Sequence, residues 1–190
     1  MTETLPERTR PMDLAAMRPD NCQVLYSGDE IADAVRRLGA EIRQVYGQQE
    51  LTVVAVLHGA LIFCADLMRQ LDMPLRLTTL SASSYRGEAT TAGELSVAVD
   101  GVAELKGRHV LLVEDILDTG RTLERLSNEV HKVGPASLRI AALLDKPDRR
   151  VTEVTADFVG FTIPDLFVVG YGLDFDGRYR NLPEIVAIKS

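Results

Sequence analysis

The stretch from Val110 to Thr122 constrains this chain more than any other. It begins with four apolar residues, Val110 to Val113, two of them β-branched. That pattern predicts a strand buried on both faces, as in a parallel sheet. Two adjacent carboxylates follow, Glu114 and Asp115, then two apolar residues, a third carboxylate at Asp118 and the small polar turn Thr119-Gly120-Arg121-Thr122. A helical pattern starts at once, with Leu123, Leu126, Val130 and Val133 at spacings of three and four. A strand that runs into acids and a glycine turn and then opens a helix is a binding place for phosphorylated ligands in open α/β sheets. The first N–H groups of the helix have no internal partner there, and the helix dipole favours negative charge.

The rest of the chain supplies more units of the same kind. Residues 1–20 are polar and proline-punctuated and read as a surface arm. A short strand is expected over 22–26. Ser27 and Glu30 have the spacing of a capping box, and Ile31, Val35, Leu38, Ile42 and Val45 then lie at helical spacing up to Gly47. Leu51 to Leu57 is a continuous apolar run, a second buried strand. It ends in His58-Gly59, and a helix is expected from Ala60 to Leu71, broken by Pro74. Strands are predicted at Leu75–Leu80, Leu95–Val99, Ser137–Leu144, 157–161, Leu166–Val169 and Ile185–Ile188. Between the first two of these, residues 81–94 are too long and too polar for a tight turn and read as a functional loop. Strands alternating with helices predict an α/β fold: one domain over 1–190 with an open, mostly parallel sheet flanked by helices. Ligands then gather at the carboxyl ends of the strands.

Composition narrows the partners. The net charge of −7 at pH 7 argues against nucleic acid as the main partner. No segment has the run of about 20 apolar residues that a membrane span needs, and no signal peptide is visible at the N-terminus. Cys22 and Cys64 have neither metal-ligand nor disulfide-framework spacing, which suits reduced thiols in a cytoplasmic protein.

The chemistry of the central stretch is specific. Gly120 allows close backbone approach, and Thr119 and Thr122 add hydroxyl donors to the helix N-terminus. No Walker A pattern occurs. Glu114 and Asp115, acceptor-only when ionised, could hold vicinal ribose hydroxyls or a metal; the plainer alternative is a strand end with solvated acids.

The run from Val110 to Thr122 resembles the phosphoribosyl-pyrophosphate motif of type I phosphoribosyltransferases. Other segments, in the same order, resemble the members that act on 6-oxopurines. Leu57-His58-Gly59 is similar to their pyrophosphate loop, in which the peptide before the middle residue is often cis. Ser84-Tyr85 is similar to the pair in their mobile loop. Lys146, the segment Phe167 to Asp174, and Tyr179-Arg180-Asn181-Leu182-Pro183 are similar to their purine-binding segment and hood. The match runs from about residue 25 to 188.

The resemblance implies purine salvage: transfer of the 5-phosphoribosyl group from phosphoribosyl pyrophosphate to hypoxanthine, and to guanine, with Mg²⁺, giving IMP or GMP and pyrophosphate. It implies a small hood built by the chain ends, with about 166–190 forming the base-binding part. It places Glu114, Asp115, Thr119, Gly120, Arg121 and Thr122 on ribose 5-phosphate, and His58, Gly59, Ser84, Tyr85 and Arg180 on pyrophosphate. It places Lys146, Phe167, Val168 and Asp174 on the purine, with Phe167 stacking and Lys146 donating to the 6-oxo group. Glu114, Asp115 and Asp174 become the metal carboxylates, and Asp118 the catalytic group near purine N7. A homodimer or homotetramer is implied, with the apolar helix at 60–71 a candidate interface. The alternatives are an enzyme for another base, such as xanthine or a pyrimidine, and a non-catalytic regulator that keeps the ribose-phosphate site. Two positions depart from the pattern: His58 stands where some members carry Lys, and Leu166 where others carry Lys or Glu.

Overall fold

The structure, a computed structural model, describes residues 13–83, 96–98 and 102–189. In chain order it runs α1 (Leu14–Met17), β1 (Cys22–Tyr26), α2 (Gly28–Tyr46), β2 (Leu51–Leu57), α3 (Leu61–Met68), β3 (Leu75–Ser83), β4 (Ser96–Ala98), a 3-10 turn (Val102–Leu105), β5 (His109–Leu117) and α4 (Arg121–Lys132). It continues with β6 (Ser137–Asp145), a second 3-10 turn (Pro147–Arg149), β7 (Phe158–Thr162), β8 (Val168–Val169) and β9 (Ile185–Ile188). Six strands form one sheet in the order β4-β3-β2-β5-β6-β7. The inner pairings are parallel, and only β4 runs antiparallel to its neighbour. The expected α/β fold with an open, mostly parallel sheet is therefore present.

Alternation along the strands explains why the sheet is covered on both sides. Val53, Ala55, Leu111, Val113, Ala141 and Leu143 face one way and pack with α2 and α3. Val54, Val56, Val110, Leu112, Ile140 and Ala142 face the other and pack with Leu123, Leu126 and Val130 of α4. With both faces buried, the strands need apolar residues at every position, hence their unbroken apolar runs.

β5 is longer than its four apolar residues suggest. Glu114 pairs with Ala142, Ile116 with Leu144 and Leu117 with Asp145, so the ladder with β6 continues through the carboxylates. The two acids are thus held inside a central strand rather than in a loop after it.

Ser27 and Glu30 form the expected capping box: Ser27 N–H donates to Glu30 Oε2 at 2.8 Å, and Glu30 N–H to Ser27 Oγ at 3.3 Å. The helix face differs in its last turn. Ile31, Val35, Leu38 and Ile42 are buried, but Tyr46 takes the next place in the core and Val45 is 46% exposed. At 3.6 residues per turn the stripe drifts, and four residues beyond Ile42 is Tyr46, not Val45. The helix expected over 60–71 is regular only from Leu61 to Met68. Phe63 and Leu67 lie fully in the core, Ile62 and Met68 pack partly against it, and Leu61 stays exposed. Part of its apolar surplus is thus core, while Leu61, Ile62 and Met68 keep exposed surface. The strand expected over Leu166–Val169 shortens to Val168–Val169; of that expected over Leu95–Val99, Ser96–Ala98 is strand, and Leu95 and Val99 lie outside the described residues.

A second sheet, β1-β9-β8, is antiparallel and joins the two ends of the chain. Around it Val169, Leu182 and Val186 form a small core with Met17, Val24 and Tyr179 packed on it. This is the hood. Of the arm expected over 1–20, residues 1–12 lie outside the described residues. Residues 13–20 are tied to the hood, where Arg18 pairs through both Nε and Nη2 with the buried carboxylate of Glu184. Among the described residues no helix is long and apolar enough to cross a membrane.

The difference between the two ends of α2 is measurable. Leu38→Ala should cost about 2–5 kcal/mol in urea unfolding, through lost burial and a residual cavity. Val45→Ala should stay within about 0.5 kcal/mol, the usual range for a surface position.

Candidate functional site

A cleft of 570 Å³ opens at the carboxyl ends of β2 and β5, under the hood. Its walls come from three places: Val56 to Gly59 after β2, Glu114 to Leu123 from β5 into α4, and Asp174 with Arg180 from the hood. Ten of the residues singled out in the sequence meet here, namely His58, Gly59, Glu114, Asp115, Asp118, Thr119, Gly120, Thr122, Asp174 and Arg180. Arg121 does not line the cleft, because it sits on the exposed side of the first turn of α4. Ser84 and Tyr85 lie outside the described residues.

Two helices begin at this cleft, and neither is capped by a side chain. α4 starts from Gly120 in the left-handed region (φ 86°) and α3 from Ala60, both without a side-chain cap hydrogen bond. Away from the cleft the ends are satisfied in the ordinary way: Asp13 caps α1 and Ser27 caps α2. The open N–H groups at Gly120 to Leu123 are the donors an anion requires.

The backbone here is shaped by close approaches. A Cβ on Gly59 would lie 1.6 Å from Oδ2 of Asp115, so that carboxylate occupies the space of a side chain. Asp115 Oδ1 also accepts from the N–H of Ile116 at 2.9 Å. The Leu57–His58 peptide is cis. Behind Gly120, a Cβ would meet Thr152 Oγ1 at 2.1 Å. Gly120 thus lines the cleft and also leaves room for its own scaffold on the side where a Cβ would lie.

That scaffold centres on Arg150, which the sequence reading did not single out. Its Nε donates to the carbonyl of Asp118 at 3.1 Å, and its Nη2 to that of Leu117 at 3.2 Å. Nη1 reaches the carbonyl of Val154, and Nη2 also pairs with Asp145. The N–H of Val151 donates to the carbonyl of Thr119 at 3.0 Å. The back of the turn is thus fully hydrogen-bonded, and its front faces the cleft.

Glu114 and Asp115 are each 8% exposed. Burial raises the Glu114 carboxyl well above its ordinary range, and the neighbouring charge of Asp115 adds to the effect. Burial raises Asp115 too, opposed by hydrogen bonds and by the Arg180 guanidinium. On the hood, Arg180 pairs with Asp174 Oδ1 at 2.7 Å and donates to the carbonyl of Gly172 at 2.6 Å. Asp174 Oδ2 accepts from the N–H of Gly177 at 2.8 Å.

The remaining candidates stand beside the cleft. Lys146, at the end of β6, is 6% exposed, which rules out a solvated strand-end lysine. Phe167 is 53% exposed and is no core aromatic; it meets Phe175 edge to face, with ring centroids 5.5 Å apart. Val168 is buried and hydrogen-bonded into the hood sheet. Phe175 was not legible beforehand, although an aromatic directly after Asp174 was the signal for it.

A family model for the phosphoribosyl transferase domain matches residues 23–176. The chain is 44% identical over 167 residues to the hypoxanthine-guanine phosphoribosyltransferase of Streptococcus pneumoniae, covering 88% of this chain and 93% of that protein. It is 43% identical over 169 residues to the hypoxanthine phosphoribosyltransferase of Haemophilus influenzae, covering 87% and 94%. Among solved structures it is similar to a hypoxanthine-guanine phosphoribosyltransferase from Bacillus anthracis with a HEPES molecule in its active site. That match has 38% identity and a TM-score of 0.81, over 88% of this chain and 97% of the other.

Two variants test the site as a physical object. Arg150→Ala should lower stability by about 3 kcal/mol in denaturant unfolding, because Asp145 and three carbonyls lose their donor in a mostly buried place. Glu114→Gln should have the opposite effect at neutral pH. A carboxyl whose folded pKa lies above its unfolded value costs stability as pH rises past the unfolded value, and costs nothing below it. The variant should therefore show a higher urea midpoint than the parent at about pH 8, and the gap should close towards about pH 4.

Proposed function

The chain belongs to the phosphoribosyl transferase family, and we infer that it is a purine-salvage enzyme of the hypoxanthine-guanine type. It transfers the 5-phosphoribosyl group from phosphoribosyl pyrophosphate to hypoxanthine or guanine and yields IMP or GMP plus pyrophosphate. One observation carries this reading: an uncapped helix N-terminus with its threonine turn, a buried acid pair and an Asp–Arg pair on the hood converge on a single cleft.

We propose the following roles. The 5′-phosphate sits on the turn Thr119 to Thr122, against the open N–H groups of α4. Arg121, on the outer side, supplies charge rather than a direct contact. Glu114 and Asp115 accept from the ribose hydroxyls. Pyrophosphate lies between the His58-Gly59 backbone and the guanidinium fork of Arg180, and Ser84 and Tyr85 are assigned to the same group by the family resemblance. The purine stacks on Phe167, takes a hydrogen bond at its 6-oxo group from Lys146, and meets the backbone of Val168 with Asp174 close by. In the transfer, the C1′–oxygen bond to pyrophosphate breaks and the bond from C1′ to the purine nitrogen forms. Positive charge builds on the ribose ring meanwhile, and the acids below it favour that charge. Asp118 takes or stabilises the proton at N7 as the purine becomes a nucleophile.

Mg²⁺ fits this donor set. Among the described residues no three potential ligands converge into a closed cage. Magnesium does not ask for one: it keeps several waters and binds one or two carboxylates together with substrate phosphates. Glu114 and Asp115 would hold it on the ribose side, and Asp174 on the pyrophosphate side. When bound it neutralises charge on the leaving pyrophosphate. We further propose a single catalytic domain over 1–190, with residues about 166–190 as its base-binding hood, working in the cytoplasm as a homodimer or homotetramer.

The test is kinetic. With phosphoribosyl pyrophosphate and Mg²⁺, the purified protein should form nucleotide from hypoxanthine and guanine; absence of product with every 6-oxopurine would overturn the reading. Asp118→Asn should lower kcat by about 10²-fold or more, while phosphoribosyl-pyrophosphate binding, measured by calorimetry, largely survives. If binding collapses and turnover of the bound enzyme does not, Asp118 has a different role.

A further inference from the structure

One arginine that the mechanism above does not use stands between its proton acceptor and its 6-oxo donor. Arg149 ends the 3-10 turn Pro147–Arg149 that follows Lys146. Its Nε donates to Asp118 Oδ1 at 3.1 Å, and its Nη1 to Asp165 Oδ2 at 3.3 Å. The other oxygen of Asp165 lies 3.9 Å from Nζ of Lys146. The N–H of Arg149 donates to the carbonyl of Lys146 at 3.2 Å, so the turn fixes these two residues to each other. The result is a chain of alternating charge, Asp118–Arg149–Asp165–Lys146, that links the ends of β5 and β6 to the loop before β8.

We propose that Arg149 and Asp165 are positioning residues, which set the separation and orientation of Asp118 and Lys146 so that purine N7 and the 6-oxo group are met together. The proposal rests on the roles given above to Asp118 and Lys146. Three physical points support it. Lys146 is 6% exposed, and a buried ammonium needs a countercharge; among the described residues its ion-pair partner is Asp165. Asp118 is half-exposed, so its rotamer needs a second fix, and a planar guanidinium fork reaching two carboxylates supplies direction as well as charge. The adjacent arginines divide the labour. Arg150 turns inward to the carbonyls of Leu117 and Asp118, and Arg149 turns outward to the side chain of Asp118. The side chains of the Arg149 pairs are between 37% and 52% exposed, so they add little to stability. Their effect is geometric, and it strengthens when a bound purine excludes water.

Steady-state kinetics of the full chain tests this, with circular dichroism melts to confirm that each variant folds. Arg149→Gln should lower kcat by about tenfold and leave KM for phosphoribosyl pyrophosphate within about twofold, since small misplacements of a reacting group carry costs of that size. Arg149→Lys, which keeps the charge and loses the fork, should recover only part of kcat. Asp165→Asn should raise KM for the purine. In an Asp118→Asn background Arg149→Gln should have little further effect on kcat, because its action passes through Asp118. Native kcat in Arg149→Gln, or a full additional loss in the Asp118→Asn background, overturns the proposal. Native kcat/KM in both Asp118→Asn and Lys146→Met would instead overturn the site reading beneath it.

Discussion

Glu114 and Asp115 sit side by side at the end of a central parallel strand, each less than a tenth exposed. Burying adjacent carboxylates is costly, and the cost is visible as the upward shift of both. Much of the surrounding architecture accommodates that pair. β2 on one side and β6 on the other hold the strand in register up to the acids. Gly59 gives up its side chain to make room for Asp115. Arg180 comes down from the hood to oppose part of the charge. Arg180 opposes only part of that charge, so the cleft is electrostatically incomplete on its own and favours a ligand that brings hydrogen-bond donors or positive charge to the acids. Affinity for substrate and instability of the free protein have the same source.

The turn at Thr119 to Thr122 shows how backbone donors are kept available. A turn of loose residues would satisfy its own N–H groups or move away from the ligand. Here the carbonyls of Leu117, Asp118 and Thr119 are engaged from behind by Arg150 and Val151, which leaves the N–H side facing the cleft. Gly120 serves this arrangement twice: it takes the positive φ, and it lets Thr152 close against its Cα. The turn is rigid because its back is filled, and preorganised donors lose little when an anion arrives.

What was legible in the sequence was local. Strand and helix periodicity, the Ser27–Glu30 box and the acids before a glycine turn each lie within a few residues, and all stand in the structure. Where a side chain acts across the fold, the sequence was silent. Arg150 reaches the carbonyl of Leu117 across 33 positions, Tyr171 reaches Asp66 across 105, and Arg149 touches Asp118 and Asp165 from opposite directions along the chain. Two arginines just after a strand-end lysine were the available hint, but no periodicity says which one turns inward. The Val45 register fails for a related reason: a helix of 19 residues accumulates phase, and only packing shows which residue finishes the stripe.

The hood adds a constraint that neither end of the chain announces alone. It carries Asp174 and Arg180, which line the cleft, and the exposed aromatic Phe167 beside the buried Val168. It packs into the main core through Val168, Leu173, Ile185 and Ala187, and two close contacts join it to the region of α3. Tyr171 donates to Asp66 at 2.7 Å, and Gly172 lies so near the carbonyl of Gly59 that a Cβ would sit 2.2 Å from it. Gly59 is itself pressed against Asp115. Gly172 of the hood, Gly59 and Asp115 are therefore stacked backbone to backbone to carboxylate, with no side chain between them to absorb a displacement. Packed contacts of this kind transmit small shifts instead of damping them. A displacement of Gly172 therefore presses on Gly59 and, through it, on Asp115, which ties the position of the hood to that of the buried acid.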